Sequence, residues 1–379
     1  MTSSHNHKNL VQHLCPPITL LRLGVGWAMV ALFALYADVW LAQPLSVVGA
    51  SVCFALLFAT IIFASFGVVH EADHLADALG EPYGTLILTL SIVLIEVILI
   101  ATVLLGPGDT PTIGKDAIFS VMMIIMNLVM GLGLWLGGRR YGQQAYNVQG
   151  AQSYLAMIIV LTGVSLVLPN YTSGQGQFNP AQAVGVSALT IGLYAAFLWG
   201  QMGRYKALYQ PPLGSVPEAE VATTKSVIRG ENLGRSLILL LTVLPIVLLA
   251  HYLAIVIDFG IATTQAPIAL SGVLIAIIVF TPESITAVKA ALANDLTRAV
   301  NLCLGAFVST IGLTIPTVLL LAMALGKPLH MGLSPTETLL LVLTIGLSLV
   351  SFAGQRTHAA LGLMHLSLFV VFGLLLFVP

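Results

Sequence analysis

The sequence contains 379 residues, of which 58% are hydrophobic and only 8% carry a charge, whereas about a quarter of the residues in soluble domains are charged. This composition predicts a polytopic membrane protein whose main partner is the lipid bilayer. The formal net charge of −1 excludes the surplus of Lys and Arg that nucleic-acid binding requires, so no nucleic-acid partner is expected. The widely separated Cys15, Cys53 and Cys303 indicate neither a disulfide framework nor a thiolate metal site.

Eleven apolar runs are long enough to cross a bilayer, because a spanning helix needs about 20 residues. They cover residues 18–41, 46–69, 84–105, 116–137, 151–169, 182–203, 234–257, 268–291, 299–324, 334–353 and 357–378. A short polar segment, residues 1–17, precedes them, and a polar linker, residues 204–233, separates the sixth run from the seventh. The sequence therefore predicts an all-α integral membrane protein with about 11 transmembrane helices.

The distribution of Lys and Arg predicts the orientation of these helices. If the amino terminus is cytoplasmic, twelve of the 14 Lys and Arg residues lie on the inner side, and only Lys115 and Lys327 lie outside. Basic residues accumulate in the cytoplasmic loops of membrane proteins. We therefore expect the amino-terminal segment and the linker to be cytoplasmic, the carboxyl terminus to be outside, and the protein to reside in a bacterial inner membrane.

The eleven helices divide into one extra helix, 18–41, and two sets of five, 46–203 and 234–379. Because each set has an odd number of helices, the second set starts from the opposite side of the membrane, which is the inverted-repeat plan of many secondary transporters. The second helix of each set carries one carboxylic acid in an otherwise apolar run, Glu96 in the first and Glu283 in the second. The two glutamates thus occupy matching places in the predicted repeats.

An ionised carboxyl group inside a bilayer costs about 2.5 kcal/mol or more, so Glu96 and Glu283 should face protein, water or an ion. Pro282 lacks an N–H, which predicts a break or kink that leaves backbone carbonyls near residues 278 and 279 without helical partners. Carbonyl, hydroxyl and carboxylate oxygens are the ligands that calcium prefers. We therefore expect Glu96 and Glu283 to bind a transported cation, with Thr281 and Ser284 beside the second glutamate.

Other polar residues at depth are candidates for a supporting ion pathway: Thr89, Ser91, Asn127 and Ser309. Thr89 is seven residues from Glu96 and lies on the same helical face, whereas Ser91 lies to one side. Serine and threonine can instead return hydrogen bonds to their own helix. An asparagine in a span can join two helices as readily as it can bind an ion.

Three stretches resemble ChaA-like cation/proton antiporters of the calcium/cation antiporter superfamily. They are LGEPYGTLILTLSIVLIEVILI, the segment from PESITAVKAAL to FVSTIGLTIP, and the last helix, GQRTHAALGLMHLSLFVVFGLLLFVP. The resemblance implies a transporter, not an enzyme, without a cofactor, in which Glu96 and Glu283 bind calcium or protons alternately. It also implies a role for Asn127. The chain has IVLIE and FTPE where these exchangers usually carry Gly-Asn, so sodium or potassium remains an alternative to calcium.

A motif of another chemical class, HEADH, occurs at residues 70–74 and fits H-E-x-x-H. In that motif the two histidines, here His70 and His74, bind zinc and the glutamate, Glu71, acts as the base. Such a site needs a third protein ligand, for which Asp258 is the candidate. An intramembrane zinc metalloprotease is therefore the alternative of another class, and a channel that moves no protons in return is a third.

Overall fold

The computed structural model describes residues 16–42, 45–79, 83–105, 111–210 and 229–378. Nine helices in these ranges are long and apolar enough to cross a membrane, and two shorter apolar helices, Leu90–Leu105 and Pro335–Ser351, complete the series. Each of the eleven corresponds to one of the predicted runs, so the prediction of an all-α membrane protein is confirmed. Most of the predicted amino-terminal segment and much of the linker lie outside the described residues.

The chain divides into two compact units, residues 1–107 with 222–265 and residues 108–221 with 266–379. Each unit combines helices from both predicted five-helix sets, so the predicted repeats do not coincide with the compact units. The repeat boundaries remain a prediction.

The described residues of the first unit form four helices. They are α1 (Pro17–Trp40), α2 (Val47–Leu79), α3 (Tyr83–Leu105) and α8 (Arg229–Thr264). Helix α8 packs against the other three and continues through Pro245. Gly26 of α1 faces this proline, and a Cβ atom at Gly26 would lie 3.2 Å from the Cβ of Pro245. The small residue therefore allows the two helices to approach closely.

The second unit contains the remaining helices and one small sheet. They are α4 (Ile113–Met122), α5 (Met130–Tyr141), β1 (Gln143–Ala145), α6 (Val148–Thr162), α7 (Pro180–Met202), α9 (Ala269–Leu292), α10 (Leu296–Ser309), α11 (Ile315–Leu325), α12 (Pro335–Ser351), β2 (Arg356–His358) and α13 (Ala359–Phe377). Strands β1 and β2 pair antiparallel, with Gln144 opposite Thr357. The short 3₁₀ turns are Leu168–Tyr171 and Lys206–Tyr209.

Three membrane spans of the second unit contain π-helical segments. The segment Met123–Val129 joins α4 to α5, Thr310–Thr314 joins α10 to α11, and Gly163–Val167 follows α6. The first two lie in the fourth and ninth spans, which are matching helices of the predicted repeats. Both spans directly follow a glutamate helix along the chain. Because π-helical turns frequently occur at functional sites, the two segments are candidates for parts of such a site.

Helices α5 and α13 meet through glycine. A Cβ atom at Gly362 would lie 2.5 Å from the backbone nitrogen of Trp135 and 2.6 Å from the carbonyl oxygen of Gly131. No side chain fits against backbone atoms at those distances, so Gly362 is required for this crossing. Small residues that let backbones approach are typical of helix interfaces in membranes.

We expect Gly362→Val to reduce the free energy of unfolding by about 1–3 kcal/mol, because the added atoms force the helices apart. Thermal unfolding of the detergent-solubilised protein measures this change. Gly373→Val is the matched control, since nothing lies within 4 Å of a Cβ atom at Gly373 in the same helix. Equal melting temperatures for the two variants would contradict the proposed close packing.

Candidate ion-binding site

Glu96 lies in the second half of α3, in the first unit. Its side chain is fully buried (0% exposed), and α3 packs against α2 and α8. Because an ionised carboxyl group facing lipid is costly, burial among protein groups is the arrangement expected for Glu96. Ser91 is also buried, whereas the side chain of Thr89 lies outside the described residues.

Glu283 lies in the middle of α9, in the second unit, and is half-buried. It borders a small cavity in which about 10 Å³ is open to the centre of a water molecule, which is close to the smallest space that holds one water. The same cavity is lined by Ser284 and, on neighbouring segments, by Ile125, Val129 and Cys303. Glu283 and Ser284 thus line a space of about the size of one water molecule, and its surface is almost wholly apolar.

Helix α9 is continuous from Ala269 to Leu292. Of the predicted break or kink at Pro282, the break is therefore wrong, and the kink stays a prediction. The proline still removes the N–H that would bond to the carbonyl of residue 278, four positions earlier. The loss of helical hydrogen bonding is thus limited to the carbonyl of residue 278, in the turn before Pro282.

The hydroxyls beside Glu283 bond to their own helix. Thr281 donates to the carbonyl of Ile277 (2.5 Å) and Ser284 to that of Phe280 (2.6 Å). A donating hydroxyl keeps its oxygen lone pairs, so these bonds leave the oxygens of Thr281 and Ser284 able to accept a further contact. Ser309 makes the same kind of bond, to the carbonyl of Ala306.

Asn127 lies in the π-helical segment Met123–Val129 and is fully buried. Its Nδ2 donates to Oγ1 of Thr344 (2.8 Å), and its Oδ1 lies 3.1 Å from Nδ1 of His365. Two other residues of this segment, Ile125 and Val129, line the Glu283 cavity. The predicted ion-pathway residue is therefore held in a hydrogen-bonded network with α12 and α13.

A charged cluster at the start of α4 was not anticipated from the sequence. Nζ of Lys115 lies 2.9 and 2.8 Å from the two carboxylate oxygens of Glu337 and 3.4 Å from Asp116. Thr112 donates a further hydrogen bond to Asp116 (2.7 Å). These groups line one end of a larger cavity of about 470 Å³. Their contacts join the amino-terminal ends of α4 and α12, which are far apart in the sequence.

Comparisons with known proteins decide the family. A family model described as sodium/calcium exchanger protein matches residues 49–203. The chain is 36% identical over 320 residues to the protein y4hA of Sinorhizobium fredii, covering 83% of this chain and 86% of the relative. It is 32% identical over 327 residues to the sodium-potassium/proton antiporter ChaA of Escherichia coli, covering 84% and 86%. The chain belongs to the family of ChaA-like cation/proton antiporters.

The fold of this exchanger agrees with that assignment. A solved structure of the Ca²⁺/H⁺ antiporter protein YfkE superimposes with a TM-score of 0.70 at 17% sequence identity, covering 96% of this chain and all of that one. The predicted resemblance to ChaA-like cation/proton antiporters is confirmed. The exchanger is therefore a multi-pass membrane transporter, and its family is one of transporters rather than enzymes.

The HEADH motif of this exchanger has a different structural role. Glu71 is buried, its Oε1 accepts a hydrogen bond from Thr19 (3.1 Å), and its Oε2 lies 3.4 Å from Nη1 of Arg235. Asp258, the candidate third zinc ligand, is twenty-three residues beyond Arg235 on α8, which corresponds to about 35 Å along a helix.

The zinc protease alternative is not supported. Among the described residues no group of three His, Cys, Asp or Glu side chains is positioned to hold a metal ion. The rings of His70 and His74 contact each other edge to face, with centroids 4.5 Å apart. The motif therefore contributes a buried ion pair between α2 and α8 and an aromatic contact within α2.

Proposed function

We propose that this exchanger moves calcium across the bacterial inner membrane in exchange for protons, and that Glu96 and Glu283 bind both. The observation that carries the proposal is the small cavity lined by Glu283 and Ser284, which is close to the smallest space that holds one water molecule. Such a space can hold a dehydrated cation beside the ionised carboxylate. Alternatively, the carboxyl group carries a proton and no cation is bound. Glu96 is assigned the same role because it is fully buried and occupies the matching place in the predicted repeats.

Competition at shared carboxylates explains how the two fluxes are coupled. Two ionised carboxylates without a cation are too costly to carry through the membrane interior. Either a cation or protons must therefore neutralise them before the transporter changes the side to which it is open.

Charge favours calcium as the cation. One divalent ion balances two carboxylates, whereas one sodium or potassium ion leaves a negative charge inside the bilayer. Calcium also accepts mixed sets of carboxylate, hydroxyl and carbonyl oxygens. The second candidate is sodium or potassium exchange, which is favoured by the name of the Escherichia coli relative, a sodium-potassium/proton antiporter.

Proton movement in everted membrane vesicles tests the proposal. Vesicles containing the exchanger are acidified internally, calcium, sodium, potassium or magnesium is added separately, and a pH-sensitive dye reports proton exit. We expect calcium to release the most protons, and vesicles from cells without the exchanger to show none of this additional release. Release by sodium or potassium alone would establish the second candidate. Cation uptake without proton exit would indicate a channel and contradict antiport.

A further inference from the structure

The larger cavity of the second unit lies where four membrane spans begin or end. Its volume is about 470 Å³, which falls within the range of sites that hold small organic molecules, about 300–1,000 Å³. It is bordered by the amino-terminal ends of α4, α9 and α12 and by the carboxyl-terminal end of α13. Because the ends of spanning helices mark the boundary of the bilayer, the cavity lies at the level where acyl chains meet lipid headgroups.

One wall of the cavity is apolar. It includes Phe119 on α4, Leu340 on α12, and Phe372, Leu375 and Leu376 on α13. The rings of Phe119 and Phe372 contact each other, with centroids 5.8 Å apart. This wall offers a surface of the kind that a hydrocarbon chain covers favourably.

Exposed apolar side chains lie beside this wall. Ile268, which lines the cavity at the start of α9, is 45% exposed. Leu374 and Phe377, which flank the lining residues of α13, are 62% and 61% exposed. Exposed apolar side chains of a membrane span face the acyl chains of the bilayer, so a lipid chain has a short way from the bilayer to the cavity wall.

The charged cluster at the start of α4 forms the other end of the cavity. Lys115 bonds to both carboxylate oxygens of Glu337, at 2.9 and 2.8 Å, and lies 3.4 Å from Asp116. In their ionised forms, two carboxylates and one ammonium group leave one negative charge on the cluster. A carboxylate has about four lone-pair sites, so Asp116 and Glu337 can accept hydrogen bonds from a second ammonium group while Lys115 stays in place.

Partial positive charge is present at the same end of the cavity. The amino-terminal N–H groups of a helix carry about half an elementary charge, and three helices begin here. Ser334 caps α12, whereas α9 is preceded by Ile268, whose apolar side chain offers no oxygen as a cap. Phosphate groups bind readily at helix amino termini, so the start of α9 suits a phosphate.

We propose that this cavity binds a phospholipid with a zwitterionic, amine-bearing headgroup, such as phosphatidylethanolamine. Its acyl chain covers the apolar wall, its phosphate faces the start of α9, and its ammonium group faces Asp116 and Glu337. A headgroup with a net negative charge lacks the ammonium group and is repelled by the surplus carboxylate. The inference goes beyond the proposed exchange, because lipid binding here does not depend on which cation is transported.

Native mass spectrometry of the purified, delipidated full chain tests the proposal. Dioleoyl phosphatidylethanolamine and dioleoyl phosphatidylglycerol are added separately, so that the acyl chains are equal and only the headgroup differs. We expect one phosphatidylethanolamine molecule to stay bound, with an affinity about tenfold or more above that of phosphatidylglycerol, the effect of one hydrogen bond to a charged group. Equal affinities for the two lipids would overturn the proposal.

Ala269→Trp locates the binding site. Ala269 lines the cavity, so the indole fills part of the space without changing any charge and should remove the bound lipid. Leu374→Trp is the matched control, because Leu374 is exposed on α13 and does not line the cavity; this variant should bind lipid like the native protein. Equal lipid binding by Ala269→Trp and the native protein would show only adventitious contact with the outer helix faces and would refute the cavity as the site.

Glu337→Gln tests the headgroup preference, and it does so even if Ala269→Trp does not fold. Glutamine at this position still forms the capping box of α12 with Ser334, but it removes the surplus negative charge of the cluster. We expect the preference for phosphatidylethanolamine over phosphatidylglycerol to fall about tenfold, the effect of one hydrogen bond to a charged group. A preference that stays at the native value would contradict the assigned role of the carboxylates.

Discussion

Glu283→Gln is expected to abolish cation-driven proton movement, and Glu96→Gln should do the same. Glutamine has nearly the size of glutamate, so each substitution preserves the packing around the side chain. It neither carries a negative charge nor binds a proton, so neither the cation nor the proton can be bound there. Replacing a residue that supports a metal ligand typically lowers the affinity for the metal about 10- to 100-fold. Replacing the ligand itself costs more. We therefore expect exchange to fall by more than about 100-fold in each variant.

The measurement is dye-reported proton exit from everted vesicles at equal protein content. Asp38→Asn is the matched control, because it makes the same chemical change at an exposed carboxylate near the end of α1. The control should retain native exchange. If both glutamine variants exchange cations for protons at the native rate, the glutamates do not form the transport site.

The helices and the burial of Glu96 could be predicted because both depend on local rules. A run of about 20 apolar residues is long enough to span the bilayer, and a carboxyl group in such a run is too costly to face lipid. The effect of Pro282 was harder to predict. A proline removes one hydrogen bond from α9, but neighbouring helices and local hydroxyl groups can compensate for that loss in a membrane helix, and the helix continues.

The contacts of Asn127 could not be predicted from the sequence. Its partner His365 is 238 residues away, and no periodic pattern shows that α5 and α13 face each other there. Glycines 131 and 362 bring these helices together, but glycine is frequent in membrane helices in general, so its presence does not show which two helices meet. The sequence shows that each of these polar residues lies inside a membrane span. Tertiary packing decides which of them contact each other.

Glu71→Gln is expected to lower the free energy of unfolding of the exchanger by about 3–5 kcal/mol, the usual cost of removing one partner of a buried ion pair. Glu71 is 1% exposed, and the side chain of Arg235 is 10% exposed. Without the carboxylate, the guanidinium of Arg235 loses this ion pair in a region with little water. Thermal unfolding in detergent measures the change, and Arg235→Gln should show a comparable loss.

The double variant Glu71→Gln/Arg235→Gln tests whether the two residues interact. If they form the stabilising pair, its loss of stability should be smaller than the sum of the two single losses by about 0.5–3 kcal/mol, the range measured for coupled neighbours. Strict additivity would contradict the pair.

His74→Ala is the matched control in the same helix, because the ring of His74 contacts His70 and is partly exposed. If the motif formed a zinc site, His74→Ala would reduce activity as much as the loss of Glu71 does. If Glu71 instead forms an ion pair between α2 and α8, the His74→Ala variant should exchange ions at nearly the native rate.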